Sequence, residues 1–313
     1  MTQRPPLIVI AGATATGKTG LSLRLAEALR TDGIPAEILS ADSRQVYRGL
    51  DIGTAKVSPE ERARVPHHGL DLVDPDQPFS VADFVDHASR ALAGIDTRGG
   101  IAILVGGSGL YLRAVARGLD TDALPSDPAV RARIEADLAA EGLAALAERL
   151  RALAPTLAGT VDLHNPRRVV RALEMATITG DGARPAARGY PAQQAWIGLA
   201  VEPAAHRRWI HERARAQFDH GLLAEAAALR DRFDPASPAF SAIGYREAWA
   251  VLDGTIGREE AIELDAQRNV AFAKRQRTWF RAEPGITWLD GAAPDLDTEA
   301  RAVAAAVLTG PER

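Results

Sequence analysis

Residues 12–19 read Gly12, Ala13, Thr14, Ala15, Thr16, Gly17, Lys18, Thr19, an instance of the spacing GxxxxGK[ST]. Few octapeptides restrict a fold so tightly. The glycines let consecutive backbone N–H groups curl around a phosphate, and the helix that follows turns its N-terminus towards the anion. The flanks agree: a five-residue apolar run (7–11) precedes the loop, and apolar residues at helical spacing follow it over 21–29. Strand, loop and helix are therefore expected in that order. Gly12 to Thr19 would bind a diphosphate or triphosphate, with Lys18 neutralising the terminal phosphate and Thr19 holding Mg²⁺.

Two more strands end at chemistry-bearing loops. Residues 36–40 lead into Asp42, Ser43, Arg44 and Gln45, and residues 101–105 into Gly106-Gly107-Ser108-Gly109. Strands alternating with helices imply a parallel sheet whose ligands gather at the strands' carboxyl ends. From about residue 125 to 173 the pattern is helical and rich in alanine, leucine and arginine. An apolar segment at 196–201 then reads as a strand returning to the sheet. The expected fold is α/β, a P-loop NTPase-like parallel sheet flanked by helices and interrupted by a helical domain. The core would comprise residues 1–123 and 192–313, and the insertion residues 124–191, with 180–191 as its glycine- and proline-rich return.

Composition narrows the chemistry. The chain has no cysteine, so disulfides, thiolate metal sites and cysteine nucleophiles are excluded. A net charge of −4 gives no global field for nucleic acid, so any such binding must be local. Of 37 basic residues only Lys18, Lys56 and Lys274 are lysine, which makes each a candidate for a site needing a compact ammonium. No apolar stretch is long enough for a membrane span or a signal-peptide core, and a cytoplasmic location is expected.

Several motifs allow two readings. Asp42 could serve as a general base, bind Mg²⁺, or merely cap the next turn. The loop 106–109 could contact substrate or be a tight turn; it stands where a motor or switch ATPase would place an apolar run ending in aspartate. The pair His67-His68 reads as structural, because adjacent side chains on an extended segment point apart. Arg167, Arg168 and Arg171, and the stretch from Arg268 to Arg281, could track a phosphate backbone or form solvated helix faces.

In order along nearly the whole chain, GATATGKT (12–19), SADSRQVY (40–47), DIGTAK (51–56), VGGSGLY (105–111), SAIGYRE (241–247) and AKRQRTWFR (273–281) resemble the tRNA dimethylallyltransferase family. The resemblance implies transfer of a dimethylallyl group from dimethylallyl diphosphate to N6 of the adenosine 3′ of the anticodon, in tRNAs reading codons that begin with U. It implies Asp42 as proton acceptor, Ser108 (where the family usually has threonine) as a hydroxyl near the diphosphate, and Arg213 as a diphosphate contact. It also implies that Asp42, Ser43, Arg44, Gln45 and Ser108 meet the target nucleotide, and that Arg131, Arg167, Arg168 and Arg171 bind the anticodon stem-loop. Mg²⁺ is the expected cofactor and a monomer the expected state. The chain departs from the family pattern at Trp209, Asn269, Val270 and residues 162–165. A small-molecule kinase using the same loop for ATP, and a nucleotide-gated RNA-binding module without transfer chemistry, are the competing readings.

Overall fold

In a computed structural model of the chain, residues 4–119, 126–182 and 187–308 are described. It divides into two compact units, one formed by Met1–Arg117 with Gly189–Arg313 and the other by Gly118–Arg188. The expected boundary at 123/124 lies outside the described residues, as do residues 183–186 of the expected return segment; the expected boundary at 191/192 falls just after the observed one.

The larger unit begins with β1 (Leu7–Gly12), α1 (Lys18–Thr31), β2 (Ala36–Ser40), α2 (Pro59–Arg64), β3 (His67–His68), α3 (Val81–Thr97), β4 (Ile101–Gly106) and α4 (Gly109–Ala116). The smaller unit holds α5 (Pro128–Leu153), α6 (Pro155–Ala158) and α7 (Pro166–Thr179). The larger unit resumes with β5 (Gln194–Ala200), α8 (Pro203–Asp219), α9 (Leu222–Arg230), a 3₁₀ turn (Pro238–Ser241), α10 (Tyr245–Leu252), α11 (Arg258–Arg281), β6 (Thr287–Asp290) and α12 (Leu296–Ala305). No helix among the described residues is long and apolar enough to cross a membrane.

Six parallel strands form one sheet in the order β3-β2-β4-β1-β5-β6. Its central strands are buried on both faces, which is why they appear in sequence as unbroken apolar runs. Within β1 the period-two alternation sorts side chains into two layers. Leu7, Val9 and Ala11 join a core with Phe84, Phe218 and Phe280, whereas Ile8 and Ile10 join Leu21, Leu25, Leu29 and Leu296. Helices α1 and α12 thus cover one face, and α3, α4, α8, α10 and α11 the other. Because β1 pairs with β4 on one side and with β5 on the other, the phosphate loop leaves the middle of the sheet.

The helical unit packs Ile134, Leu146, Leu150, Leu157, Val169 and Leu173 into its own core. Asp127 caps α5 and Asn165 caps α7, and Gly142 (φ 81°, ψ 168°) breaks α5 into two segments. The fully buried Glu174 accepts from Arg131 Nη2 at 2.8 Å, Arg171 Nη1 at 2.7 Å and the Asp127 N–H at 2.9 Å. Burial pushes its pKa up, but these donors outweigh that and hold the carboxyl below its usual range.

Candidate active site

The loop after β1 is squeezed against its neighbour strand. A Cβ on Gly12 (φ 155°) would come 2.9 Å from the Leu199 carbonyl oxygen, so only glycine fits. Ala15 (φ 56°) and Gly17 (φ 86°) both take left-handed conformations, the alternation that turns successive amides into an anion-binding concavity. Gly17 offers α1 no side-chain cap, which leaves the first-turn amides of that helix to an incoming anion.

The loop is pinned from several directions. Thr16 Oγ1 and Lys18 Nζ donate to the Ala13 carbonyl at 2.9 and 2.5 Å. Gln276 on α11 accepts the Thr14 N–H through Oε1 (2.8 Å) and donates through Nε2 to the Gly107 carbonyl (2.9 Å), tying the phosphate loop to the loop after β4. Arg213 on α8 donates from Nη1 to Thr14 Oγ1 at 2.9 Å. Its Nε is buried and makes no hydrogen bond among the described residues. A buried, unpaired guanidinium N–H is costly, and an anionic oxygen beside it would answer it.

The Asp42 carboxylate is near enough to both cations to act on their charge. Burial and the nearby Arg213 charge pull the Lys18 ammonium down to about 7, while Asp42 opposes them. Arg213 is likewise lowered by burial against the pull of Asp42 and Asp265. One carboxylate oxygen of Asp42 accepts the Arg44 N–H at 2.8 Å, so the capping role is realised alongside its place among the charges. Ser108 Oγ accepts the Ser43 N–H at 3.0 Å and lies 3.3 Å from Ser43 Oγ, which fixes the acid-bearing loop to the glycine loop.

Thus Gly12 to Thr19, Asp42, Ser43, Ser108 and Arg213 converge within the larger unit. Arg44 and Gln45 lie beside them with their side chains engaged: Arg44 donates to the Pro238 carbonyl, and the Gln45 amide to the Thr54 and Ala55 carbonyls while accepting from Ser40. Arg131, Arg167, Arg168 and Arg171 belong to the helical unit. Of these, Arg131 and Arg171 are ion-paired with Glu174, whereas Arg167 and Arg168 are exposed and make no ion pair among the described residues.

Of the three lysines only Lys18 lies in the phosphate loop. Lys56 is buried between Asp51 and Asp71, 2.6 Å from each, and Lys274 is exposed on α11. His67 and His68 turn to separate partners, the Val65 carbonyl and Glu37, as a structural pair would. Sequence reasoning missed four residues that shape the site: Gln276, His206, Gln217 and Glu225. Glu225 accepts the Ile52 and Gly53 N–H groups (2.7 and 3.0 Å) and the Tyr245 hydroxyl (2.7 Å). Gln217 donates to the carbonyls of the same two residues, so the loop at 51–54 is fixed on both its edges. Arg213 also lines a cavity of about 540 Å³, together with Ile52, Val57, Arg62, Asp71 and Gln217 among others.

No cluster of three histidine or carboxylate side chains among the described residues could hold a metal by itself. Thr19, exposed at the start of α1, offers a single hard oxygen. That donor set fits Mg²⁺ arriving with phosphate oxygens and water in its shell.

A family model described as IPP transferase matches residues 45–283. The tRNA dimethylallyltransferase of Thermus thermophilus is 46% identical over 88% of this chain and 90% of its own length. That of Pseudarthrobacter chlorophenolicus is 44% identical over 93% and 96%. The crystal structure of a full-length tRNA isopentenylpyrophosphate transferase from Bacillus halodurans, 37% identical, aligns over 98% of this chain and 97% of that one with a TM-score of 0.70. A eukaryotic dimethylallyltransferase acting on tRNA shares the fold at 24% identity and a TM-score of 0.76, over 96% of this chain and 78% of that one. With a model spanning most of its length and relatives that match it nearly end to end, the chain belongs to the IPP transferase family, alongside the tRNA dimethylallyltransferases.

Proposed function

We propose that the protein transfers the dimethylallyl group of dimethylallyl diphosphate to N6 of the adenosine 3′ of the anticodon, in tRNAs reading codons that begin with U. The observation that carries this reading is the convergence of two half-buried cations, Lys18 and Arg213, on one phosphate loop near the Asp42 carboxylate. The relatives support the prenyltransferase reading and give the kinase alternative no support.

In the reaction the allylic C1–O bond breaks as the C1–N6 bond forms. Positive charge grows on the allylic carbon and negative charge on the departing diphosphate. The loop amides, Lys18 and Arg213 meet that negative charge with donors already in place, so little reorganisation is needed as the bond breaks. Bound through Thr19, Mg²⁺ would supply further charge neutralisation on the leaving group. The Asp42 carboxylate accepts the N6 proton. An exocyclic adenine amine is barely basic, so holding it in line with C1 contributes more than the strength of the base. The target base leaves its loop stack to reach Asp42. Arg167 and Arg168, with the rest of the helical unit, bind the phosphates of the anticodon stem-loop. The protein acts as a cytoplasmic monomer.

Incubation with Mg²⁺, dimethylallyl diphosphate and unmodified tRNA, followed by nucleoside mass analysis, tests this directly. A prenyl-sized gain on adenosine is the expected result. Its absence with folded protein and a range of tRNAs would overturn the reading.

A further inference from the structure

Thr14 is gripped at every polar group it has. Its N–H goes to Gln276 Oε1, its hydroxyl receives Arg213, and its carbonyl lies 2.8 Å from His206 Nε2. A carbonyl can only accept, so Nε2 carries the hydrogen. On the other side of the ring, Arg277 Nη1 lies 3.1 Å from Nδ1, and an arginine can only donate, so Nδ1 is the acceptor. Two partners thus fix one neutral tautomer, with the ring 1% exposed. Burial, together with the Arg277 and Lys18 charges, lowers the imidazole's pKa against the opposing Thr14 carbonyl and keeps it uncharged.

We propose that His206 is a positioning residue for the diphosphate: by donating to the Thr14 carbonyl it completes a clamp, with Gln276, that holds the phosphate loop in its receiving conformation. The next residue explains why a clamp is needed. Ala15 sits at φ 56°, a left-handed conformation that a residue with a Cβ keeps only when its surroundings enforce it. A neutral imidazole also suits this place for an electrostatic reason. It holds the loop without adding a third cation beside Lys18 and Arg213, where a lysine or arginine donor would raise the desolvation cost. Because Arg213 bonds the side chain of the same residue, the clamp sets the loop and that guanidinium together.

The inference rests on the diphosphate-using reading above, and the test separates the two. His206→Gln keeps an amide N–H that can reach the Thr14 carbonyl but lacks the ring; His206→Phe keeps the ring shape and has neither donor nor acceptor. Calorimetric binding of inorganic diphosphate with Mg²⁺ should weaken about tenfold in His206→Phe, the size of one buried hydrogen bond, and stay within about threefold of wild type in His206→Gln. With tRNA present, KM for dimethylallyl diphosphate should rise in His206→Phe by a similar factor while KM for tRNA stays put. His206→Phe retains the packing of the ring and His206→Gln does not, so a role in packing alone would lower diphosphate affinity at least as much in His206→Gln. Equal loss in the two variants, or wild-type diphosphate binding in His206→Phe, would overturn the clamp. Should His206→Phe not fold, His206→Ala takes its place with the same expectations. Wild-type protein that binds diphosphate but never prenylates tRNA would sink the proposed function and leave the clamp standing.

Discussion

The two units of this molecule spend their cations in opposite ways. In the larger unit Lys18 and Arg213 are partly withdrawn from water against one short loop, with Asp42 near them. In the helical unit Arg167 and Arg168 stand exposed on α7, while Arg131 and Arg171 are anchored on a buried carboxylate. A desolvated cation is costly until an anion occupies its position, so it selects a compact, highly charged group and responds to pH. An exposed arginine gains affinity by displacing counterions from a long phosphate chain, so each contributes modestly and responds to salt. On the function proposed above, one unit would hold a small diphosphate tightly and the other would meet a polyanion over a wide face.

Substitutions can break that contrast. Lys18→Ala should lower turnover by about 10³-fold or more, the scale of losing a donor to developing charge. It should also raise the melting temperature of the ligand-free protein at neutral pH. The ammonium lies at about 7 when folded against a usual 10.5, so the unfolded chain binds that proton more tightly. Stability therefore rises as pH climbs from 7 towards the unfolded value, and the desolvation cost is present in full below 7. If Lys18→Ala instead weakened tRNA binding as much as turnover, the division between the units would be wrong. Asp42→Asn should reduce kcat by about 10²-fold with tRNA affinity retained, read from single-turnover rates and filter binding.

Smaller effects sharpen the contrast. KM for dimethylallyl diphosphate should rise above pH 7, approaching about tenfold per pH unit as Lys18 loses its proton. Lys18→Arg should flatten that rise even if it is slower at every pH. Arg168→Ala should weaken tRNA binding only several-fold, and the plot of log affinity against log salt should lose about one unit of slope. An unchanged slope would remove Arg168 from the contact surface.

What the sequence revealed divides along physical lines. The phosphate loop was legible because its backbone path demands particular residues at fixed spacing. Gly12 cannot carry a Cβ beneath the Leu199 carbonyl, and Lys18 must follow Gly17 at the helix start. The buried central strands were legible as apolar runs. Two edge strands were not: β3 is two residues long, and in β6 only Leu289 is buried, so neither carries a hydrophobic signature. The residues that pin the loops escaped notice for another reason. Gln276, His206, Glu225 and Gln217 act mainly on backbone atoms far away in the chain, and a backbone N–H or carbonyl looks the same beneath every side chain. The scarcity of lysine pointed to Lys18 and equally to Lys56, whose ammonium is occupied by Asp51, Asp71 and the Tyr47 carbonyl. Composition cannot separate a cation awaiting a ligand from one already neutralised.

The two ends of the helical insertion are paired through their backbones. The Gly189 N–H donates to the Arg117 carbonyl at 3.0 Å, and the Arg188 N–H to the Gly118 carbonyl at 2.8 Å, so the two ends of the excursion run side by side. A seventy-residue-scale departure whose ends meet imposes almost no spacing requirement on the sheet it interrupts. Such a segment can be lengthened, shortened or exchanged for another over evolutionary time while β1 and β5 keep their register. The sheet with its phosphate loop and the helical insertion are thereby free to evolve at different rates within one polypeptide.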